Sequence, residues 1–454
     1  MADQAGRNVR DLRRSNRSLL LRHLYFHDQV SRQDLSRATG LSTASVSNVV
    51  AEMIEAGIVV EAGAVESEGG RPRILLEVDA SRFEVIGVDV GETHVRVERF
   101  DLALNELARA DLPMSAGHYE PEVVVAAIAA GIAAVGCRPG GAADGGTPGT
   151  DGTPGAGEAA ESGAPVARGG AGILGVGIGV PGIVQALPDS VVHCQTMGWD
   201  GVPLEAMLRK VTDLPVFIDN GATTMGQAEM WFGAGPEAAD TVFLLIGSGV
   251  GASVLAGGAP YRGSSTSAGE WGHVTAVIGG RRCRCGSRGC LEAYIGAESV
   301  IARYREALGD PSAASSVGGA NGAEDEEAEL LRILRVAESG QPTPEARAAR
   351  AVLDDTALHF GVGIGNLVNL FNPERVIIGG WAGLLLASRL LPQIRDVARE
   401  HALHYPFSRT AIELGRLGPD AVARGAATLP VARFLNSGGV AANRPAVLTA
   451  RHRL

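Results

Sequence analysis

Lysine is almost missing from this chain. Among its 40 basic residues only Lys210 is a lysine. A GC-rich coding bias accounts for that preference, so the number of arginines alone says little about function. Aromatic residues are sparse, at 4%, and there are only five cysteines. No apolar run is long enough to span a bilayer; the runs Ile173–Val180 and Val242–Ile246 are strand-sized. Met1–Arg10 has no apolar signal segment. Export, and with it disulfide bonding, is therefore not expected, and a cytoplasmic location is. The net charge of -11 argues against uniform coating by nucleic acid, though not against one basic patch. With 45% hydrophobic residues over 454 positions, more than one domain is expected.

The few cysteines are not scattered. Cys283, Cys285 and Cys290 fall in the stretch Gly269–Tyr294, beside His273 and between Glu270 and Glu292. Three thiolates and one imidazole make a closed tetrahedral zinc site, structural because no position is left for water. Gly286 and Gly289 permit the turns that so tight a loop needs. A reduced thiol cluster without metal is the plain alternative. Cys137 and Cys194 lie outside and read as ordinary free thiols.

The first eighty residues read as a winged helix-turn-helix. Asn16–His27 is an amphipathic helix with Leu19, Leu20, Leu24 and Tyr25 inward. Ser31 caps a second, with Asp34 in the capping-box place, Leu35 and Ala38 on its apolar face and Gly40 ending it. Ser42 caps a third, Thr43–Ala56, with Val46, Val49, Val50, Met53 and Ile54 apolar. Ile58–Glu61 and Ile74–Val78 follow as strands around a polar loop holding Arg71 and Arg73. Thr43, Ala44, Ser45, Ser47 and Asn48 form the outer face of the third helix, where small hydrogen-bonding groups fit a major groove. Residues 1–50 carry eight arginines against four acids, a positive surplus opposite to the whole chain. Arg7, Arg10, Arg13, Arg14 and Arg17 are candidates for phosphate contacts, and Arg71 and Arg73 for a backbone or minor groove. A trihelical protein-binding module is the competing reading.

From Phe83 onward strands and helices alternate. Asp89-x-Gly91-x-Thr93, Val180-Pro181-Gly182-Ile183-Val184, Gly247–Gly251, Gly269-Glu270-x-Gly272-His273 and the cysteine loop through Glu292 occur in that order. This set resembles the ROK family (repressors, open reading frames and sugar kinases), over about Glu84 to Leu429, and the winged helix matches its repressor branch. The resemblance implies a two-lobed actin-like/hexokinase-type α/β fold, a sugar in the cleft, and a homodimer or homotetramer. It puts Asn220, Glu270, His273 and Glu292 on the sugar-binding positions. His273 would serve both zinc and sugar. Trp199 and Trp271 offer either a sugar-facing surface or core packing.

One departure decides the function. The kinase pattern Glu-Asn-Asp-Ala-Asn reads here as Asp219-Asn220-Gly221-Ala222-Thr223. Gly221 stands where the catalytic base belongs, and losing a general base costs on the order of 10²–10⁴ in rate. Asp219 is the only nearby substitute. On the nucleotide side Asp89, Gly91, Thr93, Gly247, Gly249, Gly251, Gly379 and Gly380 persist as a vestigial set, which folding alone also explains. The expected protein is a non-enzymatic, sugar-sensing transcriptional regulator on an inverted-repeat DNA operator, with no membrane partner; the alternative is a sugar kinase with an accessory DNA-binding domain. The expected domains are 1–80, 81–435 and a loose tail 436–454, with low-complexity insertions at 137–170 and 310–327 and a helix from Glu329 to Glu338.

Overall fold

The computed structural model describes residues 9–67, 70–115, 117–136, 172–186, 189–235, 238–310 and 323–441. The insertion 137–170, with Cys137, lies outside the described residues, as do 311–322 and 442–454.

Three helices, Val9–Phe26, Arg32–Thr39 and Thr43–Glu55, open the chain. Ser31 caps the second by accepting from the Asp34 N–H, and Gly40 ends it at φ 70, a left-handed turn that suits glycine. Ser42 caps the third through the Ser45 N–H. Leu20, Leu21, Leu24, Leu35, Val46, Val49, Val50 and Met53 are buried together. Two inward assignments fail. Leu19 is 45% exposed, and Leu21 is buried instead. The first helix also packs on the segment that follows the last helix, where Gly439 approaches the Leu21 side chain, so Leu21 is covered while Leu20 and Leu24 stay buried as expected. Ala38 is exposed, leaving Leu35 as the buried residue of its helix.

The wing is longer than expected. Its strands are Val59–Ser67 and Gly70–Val78, so Arg71 and Arg73 lie in a strand, not a loop. Pro72 is tolerated because the pairing shifts register between Val65 and Ser67, and a bulge needs no ladder donor. The short strand Val30–Ser31 completes the sheet by pairing with Leu76 and Leu75.

Two five-stranded sheets form the body. The first runs Val216–Asn220, Gly172–Val180, Phe83–Val90, His94–Asp101, Glu106–Pro113. The second runs Ala259–Pro260, Val250–Ala256, Thr241–Ile246, Arg375–Gly379, Ala411–Leu414. Each combines an antiparallel hairpin with parallel strands. The last helix, Ala421–Asn436, lies very close on the first sheet. A Cβ on Gly177 would stand 1.7 Å from the Ala426 carbonyl oxygen, so only glycine permits that approach.

The expected boundary at residue 80 is not a packing boundary. Leu20, Leu21 and Val50 share one core with Val85, Phe100, Leu102, Leu174, Phe434 and Leu435. Nor does the loose tail begin at 436. Arg17 donates to the Gly438 carbonyl, and Arg22 donates to Asn436 Oδ1 at 3.1 Å. The helix expected from Glu329 begins at Ala323, so the acidic run 324–327 is helical. Among the described residues no helix is long and apolar enough to cross a membrane.

Candidate functional site

The loop after the second sheet's hairpin gathers one nitrogen and three sulfurs. The ligand atoms of His273, Cys283, Cys285 and Cys290 all lie within 4.8 Å of one another. Cys285 and Cys290 sulfurs are 3.7 Å apart, and Cys283 Sγ is 3.8 Å from His273 Nδ1. A tetrahedral metal with bonds of about 2.3 Å has edges of about 3.8 Å, so these atoms fit one ion. Gly286 and Gly289 make the turns at φ 89 and 80. At Gly289 a side chain is also excluded by the Val277 carbonyl, 1.7 Å from its ideal Cβ. Burial pushes the Cys283 and Cys290 thiols up, whereas at Cys285 burial is outweighed by hydrogen bonds from Ser287 and the neighbouring thiols, which favour the thiolate.

With Nδ1 toward the sulfurs, His273 presents Nε2 outward, 3.9 Å from Glu270. Burial raises the Glu270 carboxyl, His273 opposing it and Glu292 adding to it. These two side chains are half-exposed and available to a ligand. Asn220 and Glu292 are more committed. Asn220 caps the helix Gly221–Phe232, accepting from Ala222 and Thr223 N–H, and donates to the Gly182 carbonyl at 2.7 Å. Glu292 is 5% exposed and accepts from the Val250 N–H at 3.0 Å. Its carboxylate ties the metal loop to the glycine turn 247–251.

Gly221 adopts ordinary helical backbone, and a Cβ there would meet Leu245, Val180 and Val422 only at 3.7 Å. Nothing local therefore requires glycine in place of an acid. Asp219 is buried and held by both terminal nitrogens of Arg262, at 2.9 and 2.6 Å. Thr266, from the same loop, donates to the Val184 carbonyl at 2.5 Å. This loop thus straps the second lobe to the first beside Asn220. Trp199 and Trp271 are each 4% exposed, and their indole N–H groups donate to the Tyr119 and Gly363 carbonyls. Both are core residues.

The turns 90–93 and 247–251 face a buried arginine. Arg284 pairs with Glu92 of the first turn, with Glu298 at 3.3 Å and with Glu292 at 3.5 Å. A Cβ on Gly249 of the second turn would stand 2.8 Å from its guanidinium. Burial alone would lower the Arg284 pKa, yet the three carboxylates hold it above its ordinary value. Ser248 donates to Glu326 at 2.6 Å, and burial pushes that carboxyl up to about 7. Other members of the vestigial set serve packing. Gly91 N–H donates to the His94 carbonyl, Thr93 Oγ1 meets His94 Nδ1 at 3.3 Å, and Gly247 N–H donates to the Gly249 carbonyl. Gly251 lies against Ala222, Gly379 against Met225, and Gly380 at φ 77 against Ile246. Burial raises the Asp89 carboxyl.

On the third helix Thr43, Ala44, Ser47 and Asn48 are exposed, while Ser45 is half-buried with its hydroxyl 2.9 Å from that of Ser42. Arg73 is exposed on the wing. Arg13 pairs with Glu52 but stays largely exposed, whereas Arg17 donates to the Gly438 carbonyl and is drawn into the fold. Sequence reasoning missed Arg262, Arg284, Glu92 and Glu326. The one available signal was an arginine set between two ligand cysteines.

This arrangement is a winged helix joined to a two-lobed hexokinase-like body. The ROK family model matches residues 164–432, and a MarR family model matches residues 11–70. The chain belongs to the ROK family. It is 28% identical over 425 residues to the xylose repressor of Caldicellulosiruptor bescii, covering 94% of this chain and 97% of that one. It is 31% identical over 250 residues to a glucokinase of Halalkalibacterium halodurans, covering 55% of this chain and 73% of that one. A solved structure of a ROK family transcriptional regulator, described as a homologue of the Escherichia coli MLC protein, superposes with TM-score 0.68 at 22% identity. That superposition covers 94% of this chain and 98% of the other, and gives the fold of the whole.

Proposed function

We propose that this protein is a DNA-binding transcriptional regulator, a repressor, whose ROK body senses a sugar or sugar derivative and does not phosphorylate it. One observation carries the reading: a winged helix with an exposed polar recognition face precedes a sugar-type cleft that has Gly221 where the base would stand. The full-length likeness to a protein named a xylose repressor supports it. Glu270 and His273 are the leading contacts for ring hydroxyls, with Asn220 and Glu292 holding the two sides of the cleft in register. Carboxylates and amides suit that task because they bind paired hydroxyls in fixed geometry.

The metal is zinc, and its role is structural. His273, Cys283, Cys285 and Cys290 would hold it, and the bound ion would fix the His273 ring and the Glu292 backbone. The vestigial nucleotide turns are filled by Arg284 and its carboxylates, a poor host for a triphosphate. For a kinase Asp219 would have to act as the base, and Arg262 already occupies both its oxygens.

Thr43, Ser45, Ser47 and Asn48 would read the major groove, with Arg71 and Arg73 on the backbone. In a homodimer or homotetramer two such helices read an inverted repeat. The ligand must bind one lobe arrangement better than the other to change DNA affinity. Such a regulator works in the cytoplasm. Genome-wide capture followed by mobility shift tests the reading. Asn48→Ala should abolish site preference, and Arg73→Ala should weaken all sequences and reduce the salt slope by about one. Absence of any sequence-specific, salt-sensitive binding would reject it.

A further inference from the structure

The helix Gly221–Phe232 joins two places that the function must connect. Its first turn is the effector end of the cleft, where Asn220 caps it and Gly221 replaces the base. Twelve residues span about 18 Å along a helix axis. Its last two residues, Trp231 and Phe232, meet Tyr25 and Phe26 at the end of the first helix of the winged domain. Phe26 and Trp231 rings are edge-on at 5.0 Å, Tyr25 and Trp231 at 5.9 Å, and Tyr25 and Phe232 at 6.5 Å. Tyr25 is fixed to the first lobe by donating to the Leu102 carbonyl at 2.7 Å.

The helix is gripped along its length, and its aromatic end is partly open to solvent. Glu229 is 1% exposed; its oxygens accept from the Ala234 and Leu417 N–H groups, each at 2.9 Å. The last helix lies against it so closely that a Cβ on Gly425 would stand 1.9 Å from the Thr224 carbonyl oxygen. The two helices therefore shift as one, and the last helix passes part of that shift to the first sheet, which it meets at Gly177. Phe26 and Phe232 are each 37% exposed. Edge-to-face ring pairs attract one another beyond what their burial alone supplies, so the rings tend to shift as a group, and their open side leaves room for the shift.

We propose that Gly221–Phe232 is the lever that couples the effector end of the cleft to the winged helix, and that Tyr25, Phe26, Trp231 and Phe232 form its joint. This rests on the regulator reading for its biological use, though not for its mechanics. A displacement at Gly221 turns the first helix of the DNA-binding domain through this contact.

The test displaces the lever without needing the natural effector. Gly221→Val puts two methyl groups among Leu245, Val180 and Val422. In the full chain, backbone amide exchange is followed by mass spectrometry over residues 17–27. Gly221→Val should raise exchange there at least about fivefold. The same change in a Trp231→Ala, Phe26→Ala background should raise it less than about twofold over that background, while Trp231→Phe retains transmission. Gly221→Leu provides a second displacement should the valine variant fail to fold. Gly221→Ala is the control whose Cβ is accommodated at 3.7 Å and should leave exchange unchanged, and metal content with circular dichroism verifies folding. Unchanged exchange over 17–27 in the displaced variants, or equal transmission without the two aromatics, overturns the proposal. Mobility shifts on the same proteins keep the two readings apart. Coupled exchange without DNA binding in the parent protein would sink the regulator reading and leave the joint standing.

Discussion

Arg262 closes both terminal guanidinium nitrogens on the carboxylate of Asp219, at 2.9 and 2.6 Å. The pair brings a loop of the second lobe onto the strand end of the first, one residue before Asn220. In a kinase this neighbourhood must leave a carboxylate free to take a proton from the sugar. Here the acid beside the cleft is used to hold the lobes together, and the next position that could supply one is Gly221.

Asp219→Asn should therefore leave ATP turnover over a hexose panel at the background of the parent protein. It should cost stability instead, about 1–2 kcal/mol, because Arg262 is only partly exposed and loses a bidentate partner. A coupled ATP assay beside urea unfolding checks both. Turnover in the parent that disappears in the variant would restore the kinase alternative.

The metal loop makes a second prediction. Cys285→Ser should lower bound zinc from about one per chain and reduce both thermal stability and response to ligand, since a bound structural ion is part of the folding free energy. Metal analysis and calorimetry read this directly. A variant without zinc that kept its Tm and ligand response would show that the loop holds itself.

How much of this was legible in the chain depends on distance along it. The metal loop was readable because its sulfurs lie within eight residues of one another, and local spacing fixes local geometry. Helix caps at Ser31 and Ser42 were readable for the same reason. Leu21 was missed because the segment that covers it, around Gly439, is distant along the chain. Arg262 was not singled out because Asp219 stands 43 residues away, and Arg284, though Glu292 and Glu298 are local to it, gains its cross-lobe role only from Glu92, 192 residues away. The aromatic joint between Tyr25 and Trp231 was hidden likewise. Periodicity reports which face is apolar, not what covers it.

The Arg284 cluster predicts a large penalty for a single change and a reduced one for a matched pair. Arg284→Met leaves Glu92, Glu292 and Glu298 facing one another with little solvent, and breaking a buried ion pair costs about 3–5 kcal/mol. Adding Glu92→Gln should recover part of that loss, by about 1 kcal/mol or more, because one repelling charge is gone. Chemical unfolding of the two single variants and the double variant measures the coupling. Additive losses would mean that Arg284 and Glu92 merely neighbour each other.

The last prediction concerns pH. Glu98 is buried in the first sheet, and burial pushes its carboxyl up to about 7, although Arg109 approaches within 2.9 Å and Asp420 and Glu106 oppose that cation. A carboxyl with a raised folded pKa favours the protonated, folded form. Its contribution is therefore greatest below the unfolded value of 4.5 and declines as pH rises toward about 7, above which it stays constant. Glu98→Gln removes this dependence while keeping the shape. Relative to the parent, the Gln variant should gain Tm between pH 5 and pH 8, on the order of 2 °C for a chain of this size. If the parent and the variant keep the same Tm difference at both pH values, the Arg109 contact outweighs burial and Glu98 is an ordinary ionised partner.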